Sequence, residues 1–562
     1  MTRYKFSNIK MLGALSIALG IMGCTDTWDD HYQATDSFGG NLWEAVNANA
    51  DLSNFASVVK ACGYDSSLVS SQMFTVFAPV NSAFSADDAS QLIASYNEQK
   101  AKGVKKKDNT VVKEFIQNHI ALYNYSVSSL SNDSIVMMNG KYLPLTSASV
   151  GGQTMHLGKT VGNGVLYTID NKVEYSPNVF EYLKKDADLD SVANFLYAYN
   201  KYEFMPSLSV PGDIVDGKTH YLDSVTVLSN ETFYELSAKL TTEDSTYWML
   251  APTNEIWDTY VPEYEQYFLY DKSVNKRDSL QYANARMALL KGAMFSRTNN
   301  SDEAVKDSAM STLSIPYSWR KEYYGTYAAR YYQYDTPFAA GGVFADVEKI
   351  TCSNGMVMKP RTWNIDKKQT FFQTIIAEAE TSERLDSVKQ ATTSAPTFIN
   401  VNSSNPFYNK LSGNQFAQFS PARGASQDIM MVFNVPGVLS NLGYDIYLIT
   451  APALAADTLA SPVERLGTKM RIKLAYNNEM GKQPTDKEMV LLQSSIATTP
   501  DQVDTLLLAK DVKIPFCSWG EGMTPQVKLV IESRVSNREV RDGLFNRILN
   551  VDCIIFKPHE EE

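Results

Sequence analysis

The residues that most often carry catalysis and metal binding are scarce here: the chain has five cysteines and five histidines in 562 residues. After Cys24 only Cys62, Cys352, Cys517 and Cys553 remain, with no C-x-x-C and no Cys/His ligand spacing, which excludes a structural zinc finger or ribbon. Cys517 and Cys553 lie in apolar segments and can either pair or stay as buried thiols. There is no H-E-x-x-H, G-x-S-x-G elbow, P-loop or dinucleotide fingerprint. The chain therefore reads as non-enzymatic, with no metal and no cofactor. A glycosidase carboxylate pair, which needs no proximity in sequence, is the remote alternative. Positive charge is short as well. At a net charge of -12 and with no basic stripe, nucleic acid is excluded as a partner.

Long apolar runs are confined to the beginning. Arg3, Lys5 and Lys10 precede an apolar stretch from Met11 to Met22, too short to span a bilayer and shaped as a signal peptide. It ends Ile21-Met22-Gly23-Cys24, which resembles a lipobox, so residues 1–23 are expected to be removed and Cys24 to be lipidated. Acyl chains add about 0.8 kcal/mol per buried CH₂, so three chains would anchor the protein durably. Residues 24–36 read as a tether, and its Thr25-Asp26-Thr27-Trp28-Asp29-Asp30 is similar to the surface-export signal of Bacteroides-group lipoproteins. The expected location is the outer membrane, facing the exterior, with membrane contact through lipid only.

The rest of the chain has ample material for folded cores, being 44% hydrophobic and 11% aromatic, which excludes a disordered stalk. Residues 37–178 form a first body. Leu42, Val46, Leu52, Phe55, Val58 and Val59 recur at helical spacing and Gly63 suits a helix stop. The β-rich run Phe74-Thr75-Val76-Phe77-Ala78 ends at Pro79, after which Asn81 is placed to cap a helix over Ala83 and Phe84. Asn163-Gly164 reads as a turn into an alternating strand ending at Asp170. These segments resemble a fasciclin-like domain. The first signature lies at Thr75 to Phe84, the second at Asn163 to Asp170, and the histidine between them maps to His119. The resemblance implies an α/β domain in which His119 is structural.

Residues 179–366 repeat this order in degenerate form. Asp186 to Phe195 parallels Asp51 to Phe55, Tyr247-Trp248-Met249-Leu250-Ala251-Pro252 repeats the strand and its proline stop, and Asn354-Gly355 echoes the second signature. A second fasciclin-like domain is expected, without its histidine near Gly292 to Phe295. Asp186, Asp188 and Asp190 imitate an EF-hand, but Ser191 and Tyr197 occupy its glycine and glutamate positions, so they are read as a charged helix start. Residues 367–562 are strand-rich. Ile472, Leu474 and Tyr476 alternate with Arg471 and Lys473, and Val527, Leu529 and Ile531 repeat the pattern. The expected fold class is multidomain α+β and all-β: two fasciclin-like α/β domains followed by a jelly-roll-like β-sandwich, similar to galactose-binding-like domains.

Candidate binding residues are aromatic. Tyr317, Trp319, Tyr323, Tyr324, Tyr327, Tyr331, Tyr332 and Tyr334 interleave with Arg320, Lys321 and Arg330, a density that suits core packing, a protein interface or stacking on sugar rings. Phe407, Tyr408 and Trp519 are the corresponding stacking candidates on sandwich loops. The layout resembles accessory lipoproteins of Sus-like uptake systems. That implies a transporter barrel and its lid lipoprotein as partners, with a glycan or peptide as ligand. Surface adhesion is the alternative, although Arg423-Gly424-Ala425 is not an integrin motif.

Overall fold

A computed structural model describes residues 39–560 except 126–132, 157, 209, 216, 224–225, 325–326, 382, 390, 392–394, 423–428 and 521–525. Cys24, the signal segment and the acidic tether lie outside the described residues. Two compact units divide between Tyr175 and Ser176. Among the described residues no helix is long and apolar enough to cross a membrane.

The first unit is built on a sheet of β1 (Phe74–Pro79), β2 (Ile120–Leu122), β3 (Lys159–Val161) and β4 (Gly164–Ile169), in the order β2-β1-β4-β3. Strands β1 and β4 are parallel, with Phe74 opposite Gly164. Helices α1 (Leu42–Asn47) and α2 (Ser53–Ala61) contribute to one core. Leu42, Val46, Leu52, Phe55, Val58 and Val59 are all fully buried, as their spacing requires. The helix expected over Ala83 and Phe84 begins later, as α3 (Ala86–Ala101), because Ser85 and Asp88 form a reciprocal capping box. Asn81 does different work: its carbonyl oxygen accepts from the Asn54 amide and its amide donates to the Ala50 carbonyl, tying β1 to α2.

The second unit opens with the same plan. Its first sheet has β5 (Thr246–Leu250), β6 (Met294–Arg297), β7 (Val347–Cys352) and β8 (Gly355–Pro360), ordered β6-β5-β8-β7 with β5 and β8 parallel. The correspondence extends to single atoms. Asn163 accepts from the Leu42 amide and donates to the Leu68 and Ser70 carbonyls. Asn354 accepts from the Val179 amide and donates to the Leu240 and Thr242 carbonyls. The next residue is glycine for the same reason in both places. Gly164 and Gly355 have φ of 149° and 143°, and a Cβ would overlap the Phe74 or Tyr247 carbonyl oxygen. Asn254 repeats Asn81, accepting from the Ser191 amide and donating to the Ala187 carbonyl. Asp186 and Asp188 pair with Lys359 at 2.8 and 3.1 Å, a charged helix start as expected.

The strand-rich remainder is a sandwich. One sheet runs β10 (Leu385–Lys389), β13 (Met430–Asn434), β18 (Val527–Ser533), β15 (Lys469–Tyr476), β16 (Val490–Ala497). The other runs β11 (Thr397–Asn400), β12 (Gln415–Phe419), β19 (Leu549–Pro558), β14 (Gly443–Thr450), β17 (Asp504–Lys513). A short strand, β9 (Ile375–Glu378), also pairs with β19. Met431, Ile472, Leu474, Leu529 and Ile531 from one sheet and Ile446, Leu448, Val551, Ile554 and Phe556 from the other fill the middle. The fold class is thus α+β followed by an all-β sandwich. The division expected at 366/367 separates sheets but not cores. One continuous apolar cluster runs from Val179 to Phe556, and Tyr270 donates to the Trp519 carbonyl while Ser440 accepts from the Leu269 amide. The four described cysteines, Cys62, Cys352, Cys517 and Cys553, are all buried free thiols, so of the two options for Cys517 and Cys553 the structure takes the unpaired one.

Candidate functional site

The dense aromatic stretch resolves into two parts with opposite fates. Its later part packs inward: Tyr331 and Tyr334 are buried, and the Tyr334 hydroxyl donates to the Gly292 carbonyl while that of Tyr331 accepts from the Thr374 amide. Its earlier part is helix α8 (Tyr317–Tyr324), which has no buried residue. Trp319 and Tyr323 are one turn apart, so they share a face, and their rings stack 5.8 Å apart with an 11° interplanar angle. Both are exposed, at 49% and 42%. Tyr324 stands edge-on to Tyr323 at 4.8 Å. Arg320 lies over the buried Tyr331 ring and Arg330 over Tyr317, which pins the helix by cation–π contact. The result is a flat, solvent-facing aromatic platform held on a fixed base.

The loop candidates have three different surroundings. Phe407 is a correction: at 5% exposed it belongs to a small core with Val401, Leu411 and Phe416, where an apolar ring is worth more buried than in water. Trp519 packs edge-on against Phe268 at 5.8 Å with the Lys291 ammonium over its ring, so it closes the second unit's interior instead of offering a free face. Tyr408 remains exposed at 42%. A cleft of about 210 Å³ at the sandwich end, lined by Asp457, Glu464, Thr468, Asn546 and Asn550, falls below the roughly 300–1,000 Å³ usual for small-molecule sites.

A group of carboxyls with raised pKa values was not singled out from sequence. Glu378 and Asp552 are 7% and 0% exposed. Burial pushes the Glu378 carboxyl up to about 7 and Glu380, beside it, up to about 8, while Asp552 is driven well above the carboxylate range by burial and then by the charge of Glu378. Nothing local in sequence marks them, since Glu378 and Asp552 are 174 residues apart. The only available sign was an acid at two alternate positions of the strand Ile375–Glu378 and its extension.

His119 takes the structural role that the resemblance implies. Val173 donates its amide to Nε2 at 2.9 Å and Nδ1 meets the Phe115 carbonyl at 2.8 Å, so the neutral ring carries its proton on Nδ1. Complete burial lowers its pKa to about 4.

Residues 50–173 match the Fasciclin domain family. Comparison with curated proteins gives no match. Among solved structures, the chain is similar to a FAS1 domain pair from the insect cell adhesion molecule Fasciclin I. That similarity has 12% identity, covers 57% of this chain and 99% of that one, and has a TM-score of 0.20. The segment that matches the Fasciclin domain model, residues 50–173, is the one that holds Asn81, His119 and Asn163.

Proposed function

We propose that this protein is a non-catalytic, lipid-anchored surface protein that binds a ligand or partner through the aromatic platform of α8. The observation that carries the reading is the stacked, exposed pair Trp319 and Tyr323 on a helix without a buried residue. Rigid rings of this kind give large contact area at small entropy cost, which suits the face of a sugar ring or a peptide side chain. The altered carboxyls do not favour the glycosidase alternative, because a saccharide cannot approach groups 7% and 0% exposed.

The finer reading is an accessory subunit of an outer-membrane Sus-like complex, held near a transporter barrel and its lid lipoprotein by lipid on Cys24. The lipobox-like Gly23-Cys24, the acidic residues after it and the domain layout support it. A detergent pull-down through a C-terminal tag tests it. Recovery of a barrel with its lid lipoprotein supports uptake, whereas recovery of neither, with binding of cells or matrix, favours adhesion. Cys24→Ala should release the protein from the membrane fraction. Retention there would overturn the anchor.

A further inference from the structure

Strand β19 has two short partners along one edge: β9, with Glu378 opposite Cys553, and β12, with Ala417 opposite Val551. Asp552 sits where they meet, its carbonyl accepting from the Ala379 amide. A shift of register between β14 and β19 at the same level turns Cys553 to the outer face with Ile555, while Val551 and Ile554 stay in the sandwich core. On β9 and just past its end, Ala377 and Ala379 face that core. Glu378, with Glu380 two residues on, accordingly points outward. One carboxylate oxygen from each of Glu378 and Asp552 and the Cys553 sulfur lie within 4.8 Å of one another.

Part of this cluster is satisfied internally and part is not. The Ser412 hydroxyl donates to Glu378 Oε1 at 2.6 Å and the Ser412 amide to Asp552 Oδ2 at 3.2 Å. Glu378 Oε2, Asp552 Oδ1 and Glu380 Oε2 are buried with no hydrogen-bond partner. Stranded acceptors of this kind cost free energy. Ionising both Glu378 and Asp552, whose oxygens lie within 4.8 Å of each other, would place two like charges together in a buried site. The cations of the neighbouring elements, Arg320 on α8 and Arg384, bear on Tyr324, and neither forms an ion pair with the three acids among the described residues. A bound cation would satisfy the free oxygens and cancel the repulsion together.

Ser412 also links the cluster to the platform. The turn Ser412–Asn414 packs against α8. Gly413 within it has φ of 60°, and a methyl added there would reach the Glu380 carboxyl at 3.6 Å and the Tyr323 ring at 3.7 Å. The turn thus touches the acids through Ser412 and carries Gly413 between the Glu380 carboxyl and the Tyr323 ring.

We propose that Glu378 and Asp552, with Glu380 nearby, hold one hard divalent cation of the calcium class, and that its binding fixes the Ser412–Asn414 turn and with it the aromatic platform of α8. Carboxylate and hydroxyl oxygens are ligands for such a cation, and a single thiol beside them does not make a zinc set. The coupling to α8 rests on the platform being the working surface; the cation site itself does not.

The test uses the full chain in detergent, stripped with chelator. Calorimetry should show one Ca²⁺ bound, and Tb³⁺ in its place should luminesce when Tyr323 and Tyr324 are excited. Glu378→Gln should weaken binding about tenfold or more. Ca²⁺ should slow hydrogen exchange of residues 317–324 and 412–414 about tenfold in the wild type and not in Glu378→Gln; the comparison with and without Ca²⁺ in the wild type needs no variant to fold. Absence of Ca²⁺ binding, or tighter binding of Zn²⁺, overturns the site. Ca²⁺ binding with unchanged exchange in 317–324 overturns the coupling. Loss of ligand binding in Trp319→Ala with Ca²⁺ binding intact bears on the platform, so the two readings fail separately.

Discussion

Asn163 offers the sharpest test of how the first unit is held together. Its side chain makes three hydrogen bonds, to the Leu42 amide at 2.8 Å and to the Leu68 and Ser70 carbonyls at 2.8 and 2.7 Å, and joins the start of α1 and the approach to β1 to the turn before β4. Asn163 itself is 5% exposed. Replacing it with alanine removes about 1 kcal/mol per bond and strands a buried Leu42 N–H at about 1–2 kcal/mol more, for a loss of about 4 kcal/mol. Asn163→Asp keeps the acceptor but turns a carboxylate oxygen towards two carbonyls, so it should be at least as damaging as alanine. The assay is native-state hydrogen exchange read on peptides from β1 and β4, which reports the opening free energy of that unit without assuming that the whole chain unfolds in one step. A loss below about 1 kcal/mol for alanine, or an aspartate milder than alanine, would refute the reasoning. Asn354→Ala should cost about as much in the second unit, because its three partners are equivalent.

Other expectations follow from single side chains. His119, with its pKa lowered from 6.5 to about 4, stabilises the fold in its neutral form. That contribution is complete above the unfolded-state value near 6.5 and is lost as pH falls through about 4, a loss on the order of 3 kcal/mol that pulse proteolysis across that range should register. Gly164→Ala places a Cβ against the Phe74 carbonyl at a φ that side chains rarely adopt, and should cost more than about 2 kcal/mol in thermal unfolding. Phe407→Ala should lower stability by about 3–5 kcal/mol without touching ligand capture. Trp319→Ala should do the reverse, leaving stability within about 0.5–1 kcal/mol while weakening binding about tenfold or more on a glycan and peptide panel. Equal effects of both variants on both readouts would remove the distinction drawn between core and platform.

Much of the architecture was legible because it rests on local pattern. Leu42, Val46, Phe55 and Val59 recur at the helical period and are buried; Ile472 and Leu474 alternate with Lys473 and sit in the sandwich core. Asn163-Gly164 and Asn354-Gly355 were visible as paired dipeptides, although the three hydrogen bonds behind each asparagine reach across more than ninety residues. Asn81 misled because an asparagine after a strand looks like a helix cap, whereas its amide bonds back to Ala50 and the true cap is Ser85. Phe407 misled because a ring in a polar loop looks exposed, and only the packing of Leu411, Phe416 and Ala451 around it shows otherwise.

What the sequence determined by itself is therefore periodicity, the positions that demand asparagine or glycine, and the lipobox-like end at Cys24, all written in neighbouring residues. Tertiary structure decided which aromatics face water, why residues 179–556 share one core, and that Glu378, Asp552 and Cys553 meet. Those outcomes depend on strand order and register, which bring together side chains up to 175 positions apart, and no spacing along the chain encodes such a meeting.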